Sequence, residues 1–233
     1  MQSLFHHSKT LYHSEKKAFD LNIDDSYFDL FQKQIPFELT SSQKKCIEEI
    51  YNDIKKASPM KRLLQGDVGS GKTIVAAAAV TATIKNNKQA ALMAPTEVLA
   101  EQHLMSFKKY LEYFNIDIHL LTSSVKDRGN IYEMIDRGDP VLIIGTHALI
   151  QDKVNFNNLG LAIIDEQQRF GVEQRKKLVD NDDFTPHQLV MTATPIPRTT
   201  ALAIYGDLEL SVIDELPPGR KKIKSRVLSG GKR

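Results

Sequence analysis

The segment GDVGSGKT, Gly66 to Thr73, fits the spacing G-x-x-x-x-G-K-[ST] in full. Gly66, Gly69 and Gly71 let the backbone curl, with Asp67, Val68 and Ser70 between them, so that N–H groups point inward at phosphate oxygens. Lys72 would then reach the β- and γ-phosphates, and Thr73 would offer its hydroxyl to Mg²⁺. The plainer reading is a glycine turn ahead of an alanine-rich helix. Placement between a predicted strand, RLLQ, and a predicted helix from Lys72 favours the phosphate cradle. A second segment, LAIIDE, ends an apolar run on two acids. Asp165 is the candidate Mg²⁺ carboxylate, acting through water. Glu166 is the candidate base that orients and deprotonates an attacking water. Adjacent acids alone would read as a solvated strand end. Beside a phosphate loop, they point to hydrolysis of a nucleoside triphosphate rather than transfer to a second substrate.

Elements must exist to bring these residues together. Short apolar runs recur at 62–65, 90–94, 118–122, 141–145, 161–165 and 188–192, with helical patterns at 73–85 and 98–110. The runs are continuous rather than alternating, as in strands buried on both faces of a parallel sheet. Strand and helix alternate, so the predicted class is α/β, with a mostly parallel sheet and helices on both faces. Each polar segment follows directly on a strand: GDVGSGKT, PTEVLAEQH, GTHAL, DEQQRFG and TATPIPRT. Open parallel sheets carry ligand sites along that edge.

TSSQ, residues 40–43, has two compatible readings. Thr40 and Gln43 make a capping box for a helix to about residue 55, and Gln43, with Phe37 nearby, can face an adenine edge. Thr96 and Thr146 read either as ordinary N-caps or as ligands for backbone phosphates. Residues 1–38 differ from the remainder; Tyr27, Phe28 and Phe31 sit at helical spacing within an arm expected to pack on a neighbouring surface. His6, His7 and His13 read as solvated, without metal-ligand spacing. The LSGG at 228–231 follows the acidic pair rather than preceding it, which sets it apart from a transporter signature. An N-K-x-D guanine motif is absent, and so is an arginine-rich lid of the kind a nucleotide kinase needs.

The chain of 233 residues is long enough for a sizeable core. Its net charge of +2 does not advertise nucleic acid, so any such contact must be local, as in the basic PPGRKKIKSR near the end. One cysteine, Cys46, excludes an internal disulfide. The start lacks a signal-peptide core, and the longest apolar run, Ile74 to Ile84, is too short for a bilayer. The expectation is a cytosolic protein with no membrane partner.

Taken together, LLQGDVGSGKT, ALMAPTEVLAEQH, IIGTHALIQ, IIDEQQRFGVEQR, MTATPIPRT and VIDELPPGR resemble the first motor lobe of a superfamily 2 helicase. Within that superfamily the words resemble most the RecG family of bacterial branched-DNA translocases. The transcription-repair coupling factors share RFGV and TATPIPRT and are the alternative; ELPPGR and the Gln after Asp165–Glu166 favour RecG. A nucleotide-binding switch without hydrolysis is the other competing class. The resemblance implies a RecA-like lobe over 39–233, preceded by a linker over 1–38 from a wedge domain. It implies ATP with Mg²⁺, and duplex or branched DNA as partner. It implies that Pro95, Thr96, Glu97, Gly145, Thr146 and His147 line the DNA side. It also implies a coupling role for Thr192, Thr194 and Gln168. Position 168 is usually His in the family. Gln keeps a hydrogen bond to the Thr192 hydroxyl but cannot titrate near neutral pH. A second lobe and the wedge cannot fit in this length, so the chain is expected to be a piece of a monomeric, bacterial, cytoplasmic parent.

Overall fold

The computed structural model describes residues 17–19, 21–24, 26–166, 177–178, 184–194 and 208–215. Seven strands form a single sheet among them: β1 (Lys61–Gly66), β2 (Gln89–Met93), β3 (Asp117–Leu121), β4 (Val141–Gly145), β5 (Leu159–Asp165), β6 (His187–Thr192) and β7 (Glu209–Ile213). Their order is β3-β4-β2-β5-β6-β1-β7, and every described pairing is parallel. All strand C-termini therefore share one rim. The described helices are α1 (Ser26–Gln34), α2 (Ser41–Ile54), α3 (Lys72–Lys85), α4 (Glu97–Tyr110) and α5 (Gly129–Arg137).

The period of two along each strand divides the core. Ala90, Leu92, Leu142, Ile144, Leu161 and Ile163 meet α1–α4 on one face. Ala91, Met93, Ile143, Ala162 and Ile164 meet Ile131 and Ile135 of α5, and Ala148 and Leu149, on the other. Helix α3 is apolar all round, with every residue from Ile74 to Ile84 buried, as expected of a helix enclosed by its neighbours. Its alanines let it lie close against the sheet. Gly145 ends β4 where a Cβ would stand 2.2 Å from the Leu121 carbonyl oxygen, so only glycine fits between β3 and β4 there.

The strand expectations over 62–192 and the helices over 40–55, 73–85 and 98–110 match the observed elements. Sequence reading missed α5 and β7. The latter is an edge strand with only Ser211 and Ile213 buried. It is stapled in by buried Arg62 of β1, which donates to Ser211 Oγ (2.9 Å), Asp53 Oδ2 (2.7 Å) and Glu49 Oε2 (3.3 Å). Burial alone would raise the Asp53 carboxyl, but the bonds from Lys56 and Arg62 outweigh it and hold it below its ordinary value.

Described residues ahead of Leu39 are part of this core. Leu21, Ile23 and Phe31 pack with Ile47, Ile50 and Ile54 of α2. The N–H of Ala18 donates to Ala57 O and that of Leu21 to Ile54 O. Phe19 stacks on Phe184 with ring centroids 4.4 Å apart, while Lys88 Nζ lies 3.6 Å over the Phe19 ring. His187, fully buried at the start of β6, closes the arrangement. Its Nδ1 accepts from Met60 N–H (3.0 Å), so the ring proton sits on Nε2, which donates to Phe19 O (2.7 Å). Protonating Nδ1 would set two donors against each other. Burial accordingly pushes this imidazole below its usual value of 6.5, against the opposing pull of the Phe19 carbonyl and Asp53.

The sign of the resulting pH dependence is fixed. The unfolded chain takes up this proton first, so the stabilisation is complete above the unfolded value and is lost as pH falls through the lower folded one. Urea unfolding from about pH 7 to about pH 5 should show falling stability, and His187→Gln should flatten that slope. An unchanged slope in the variant would rule His187 out as its source.

Candidate active site

The loop after β1 turns back on itself. Gly69 and Gly71 have φ of 78° and 94°, the left-handed region that glycine enters without strain. Gly71 is the N-cap of α3. The N–H of Ser70 donates to Asp67 O (3.1 Å), and the Asp67 carboxylate accepts from the N–H of Val68 (2.7 Å). The Asp67 side chain thus braces its own turn. Lys72 Nζ donates to the carbonyls of Gly66 (2.7 Å) and Asp67 (3.1 Å) across the mouth of the loop. Burial lowers its pKa, with Asp165, Glu166 and Asp67 pulling the other way. Those opposing charges place the lysine in the field of both rim acids. The hydroxyl of Ser70 is enclosed without a hydrogen-bond partner among the described residues.

Gln43 locks this loop from behind. Its Oε1 accepts from Thr40 N–H (2.9 Å), and Thr40 Oγ1 accepts from Gln43 N–H (3.2 Å), which completes the expected capping box of α2. The Nε2 of the same side chain donates to Ser70 O (2.8 Å). Gln43 is buried, with its amide committed to the loop backbone on one side and the helix cap on the other. Phe37 stands exposed, its ring edge-on to Tyr110 at 6.0 Å.

Asp165 ends β5, buried, and Glu166 follows with φ of 51°. A non-glycine residue in that region is uncommon and is held there by its surroundings. Here the N–H of Glu166 donates to Met191 O (3.0 Å), and its Oε1 accepts from Ala193 N–H (3.1 Å). Both partners belong to the segment closing β6, where Thr192 Oγ1 and Thr194 Oγ1 lie 2.9 Å apart. Asp165 Oδ2 lies 2.7 Å from His103 Nε2 of α4. Thr73 follows Lys72 in the first turn of α3, and its hydroxyl and the Asp165 carboxylate are oxygen donors of the kind that could hold a nucleotide-borne Mg²⁺ beside phosphates. Among the described residues no group of three or more His, Cys, Asp or Glu could hold a metal ion.

The family model for the DEAD/DEAH box helicase matches residues 40–203. The chain belongs to the DEAD/DEAH box helicase family. The ATP-dependent DNA helicase RecG of Aquifex aeolicus is 49% identical over 216 residues, covering 91% of this chain and 27% of that protein. RecG of Bacillus subtilis is 52% identical over 197 residues, 84% of this chain and 29% of that protein. The structure of RecG bound to a three-way DNA junction superposes with a TM-score of 0.81 at 42% identity, over 93% of this chain and 29% of that one. A DEAD box protein from Methanococcus jannaschii shares the fold at a TM-score of 0.59 and 22% identity, over 85% of this chain and 56% of that one. The fold is thus a RecA-like helicase lobe, and the chain spans less than a third of the length of the RecG proteins it matches.

In this helicase lobe the remaining rim residues divide. Thr96 is the N-cap of α4, its hydroxyl accepting from Leu99 N–H (3.3 Å). Pro95 is half-buried and His147 is exposed. The Glu97 carboxylate accepts from Ser123 N–H (2.9 Å), and bonds from Ser123 and Ser124 hold it below its ordinary pKa. It therefore braces the loop after β3. Thr146 is buried, its hydroxyl enclosed without a partner among the described residues. Gly145 packs against the Leu121 carbonyl. Gln168, the basic 217–226 segment and the early histidines lie outside the described residues.

His103, Ala193 and the grip of Gln43 on Ser70 were not foreseen from sequence. The helical spacing of PTEVLAEQH offered one hint, a half-buried His on a helix that starts at the same rim as Asp165.

A substitution separates loop geometry from loop chemistry. In Gly71→Ala the new Cβ would stand 2.3 Å from Gln43 Nε2, on a residue whose φ is already left-handed. The expected cost is about 1–3 kcal/mol in chemical unfolding, with weakened binding of a fluorescent ATP analogue. Wild-type stability and affinity in that variant would contradict the described loop.

Proposed function

We propose that this chain is the ATP-binding lobe of a RecG-like DNA helicase, which couples ATP hydrolysis to translocation on duplex DNA and to remodelling of branched DNA such as stalled forks and Holliday junctions. The observation that carries the reading is the meeting of Lys72, Asp165 and Glu166 at one rim of a lobe about half identical in sequence to RecG proteins. Residues 39–233 are the lobe, and 1–38 the linker from a wedge domain, its distal part packed onto α2. The parent also supplies a second RecA-like lobe.

In this reading the loop N–H groups and the N-terminus of α3 receive the phosphates, and Lys72 exchanges its two carbonyl partners for phosphate oxygens. Thr73 and Asp165 would hold Mg²⁺, which when bound neutralises charge on the transferring phosphate. Glu166 takes the proton of the attacking water, its carboxylate held by Ala193 N–H. That bond links the base directly to the Thr192–Thr194 segment, so a change at the base is transmitted to β6. Gln43 and Phe37 form the base-facing wall, where the second Nε2 hydrogen of Gln43 is the donor for adenine. Pro95, Thr96 and His147 present the surface for the DNA backbone.

Glu166→Gln in the parent protein should lower turnover about 10²–10⁴-fold while nucleotide stays bound. Equal turnover would contradict Glu166 as the base, and no turnover in the wild-type parent would favour a binding switch. ATP hydrolysis compared on forked DNA, linear duplex and single strands should be fastest on forks. The isolated chain, without the arginines of a second lobe, should turn over about 10³-fold or more slower than the parent. Robust DNA-stimulated hydrolysis by the lobe alone would refute the division of labour.

A further inference from the structure

His103, the last residue of PTEVLAEQH, carries no role in the nucleotide-site reading and lies against the acidic pair. It lies in the middle of α4, 62 residues from Asp165 in sequence, with its Nε2 2.7 Å from Asp165 Oδ2. The side chains are each only 12% exposed. An ionised carboxylate only accepts, so the proton of this bond is on Nε2 of the histidine. The imidazole is held in turn by Phe107, one helical turn on and fully buried, with ring centroids 6.4 Å apart. A buried carboxylate without a donor is costly, and one with a fixed donor has a fixed orientation.

We infer that His103 is the positioning residue of the metal carboxylate: it pins Oδ2 of Asp165 to α4 and leaves Oδ1 as the oxygen available to a cation. Its role is exercised through Asp165. The inference rests on the nucleotide-site reading above. It adds that α4, capped by Thr96 and beginning at Glu97, is joined to the metal carboxylate by one hydrogen bond.

The test is binding of a fluorescent ATP analogue to this chain in EDTA and in Mg²⁺. The proteins are wild type, His103→Ala, His103→Phe, His103→Gln and Lys72→Ala, with thermal melts alongside. His103→Phe keeps a ring against Phe107 without the donor, and His103→Gln restores an N–H donor. In EDTA the three His103 variants should bind as wild type does. The gain in affinity on adding Mg²⁺ should fall about 10-fold in the Ala and Phe variants and return to within about threefold of wild type in His103→Gln. A full Mg²⁺ gain in folded His103→Ala or His103→Phe, or none in wild type, overturns the inference while leaving nucleotide binding intact. Lys72→Ala binding as tightly as wild type in both buffers overturns the nucleotide-site reading itself, and the inference with it.

Discussion

Strands β1, β6 and β5 lie side by side and run the same way. Their C-terminal ends carry the glycine loop, the Thr192–Thr194 segment and the acidic pair. Adjacent strands are about 4.8 Å apart, so the loop and the acids are separated by roughly 10 Å with β6 between them. That is enough room for phosphates and a hydrated cation. The chemistry depends on this adjacency more than on any one side chain. It also explains why Glu166 bonds to Ala193 rather than to a residue of the loop: β6 is the strand that both flank.

The sheet holds that adjacency because both its faces are buried. Alternate residues of β2, β4 and β5 feed two separate cores, so a register slip of one residue would exchange them. The edge at β7 has less to bury and relies instead on Arg62, whose bonds to Ser211, Glu49 and Asp53 tie it to α2. Helix α2 is also the source of Gln43. The edge strand, the capping box and the back of the phosphate loop thus share one support.

Much of this was legible in the sequence because it is local. Apolar runs of strand length, an alanine-rich helix and G-x-x-x-x-G-K-T each state their structure within a few residues. Helix α5 escaped notice because GNIYEMIDR is largely polar and buries only Ile131 and Ile135. Strand β7 escaped because an edge strand shows too little burial to form a run. Gln43 was read as a cap or an adenine contact. Its bond to Ser70 spans 27 residues and follows only from the packing of α2 against the loop. His103 escaped for the same reason. Chain spacing says nothing of a contact made by a helix on one strand with the end of the next. Gly145 and Glu97 also have structural partners, Leu121 and Ser123, which lie too far along the chain for motif reading to find.

The central claim is that the loop is a phosphate site in which Lys72 stands where phosphate oxygens belong. A crystal structure of this chain with Mg²⁺ and a non-hydrolysable ATP analogue tests it most directly. The account predicts that Lys72 Nζ leaves the Gly66 and Asp67 carbonyls for the β- and γ-phosphate oxygens, with Asp165 facing the metal. Nucleotide bound elsewhere, with Lys72 still on those two carbonyls, would contradict it.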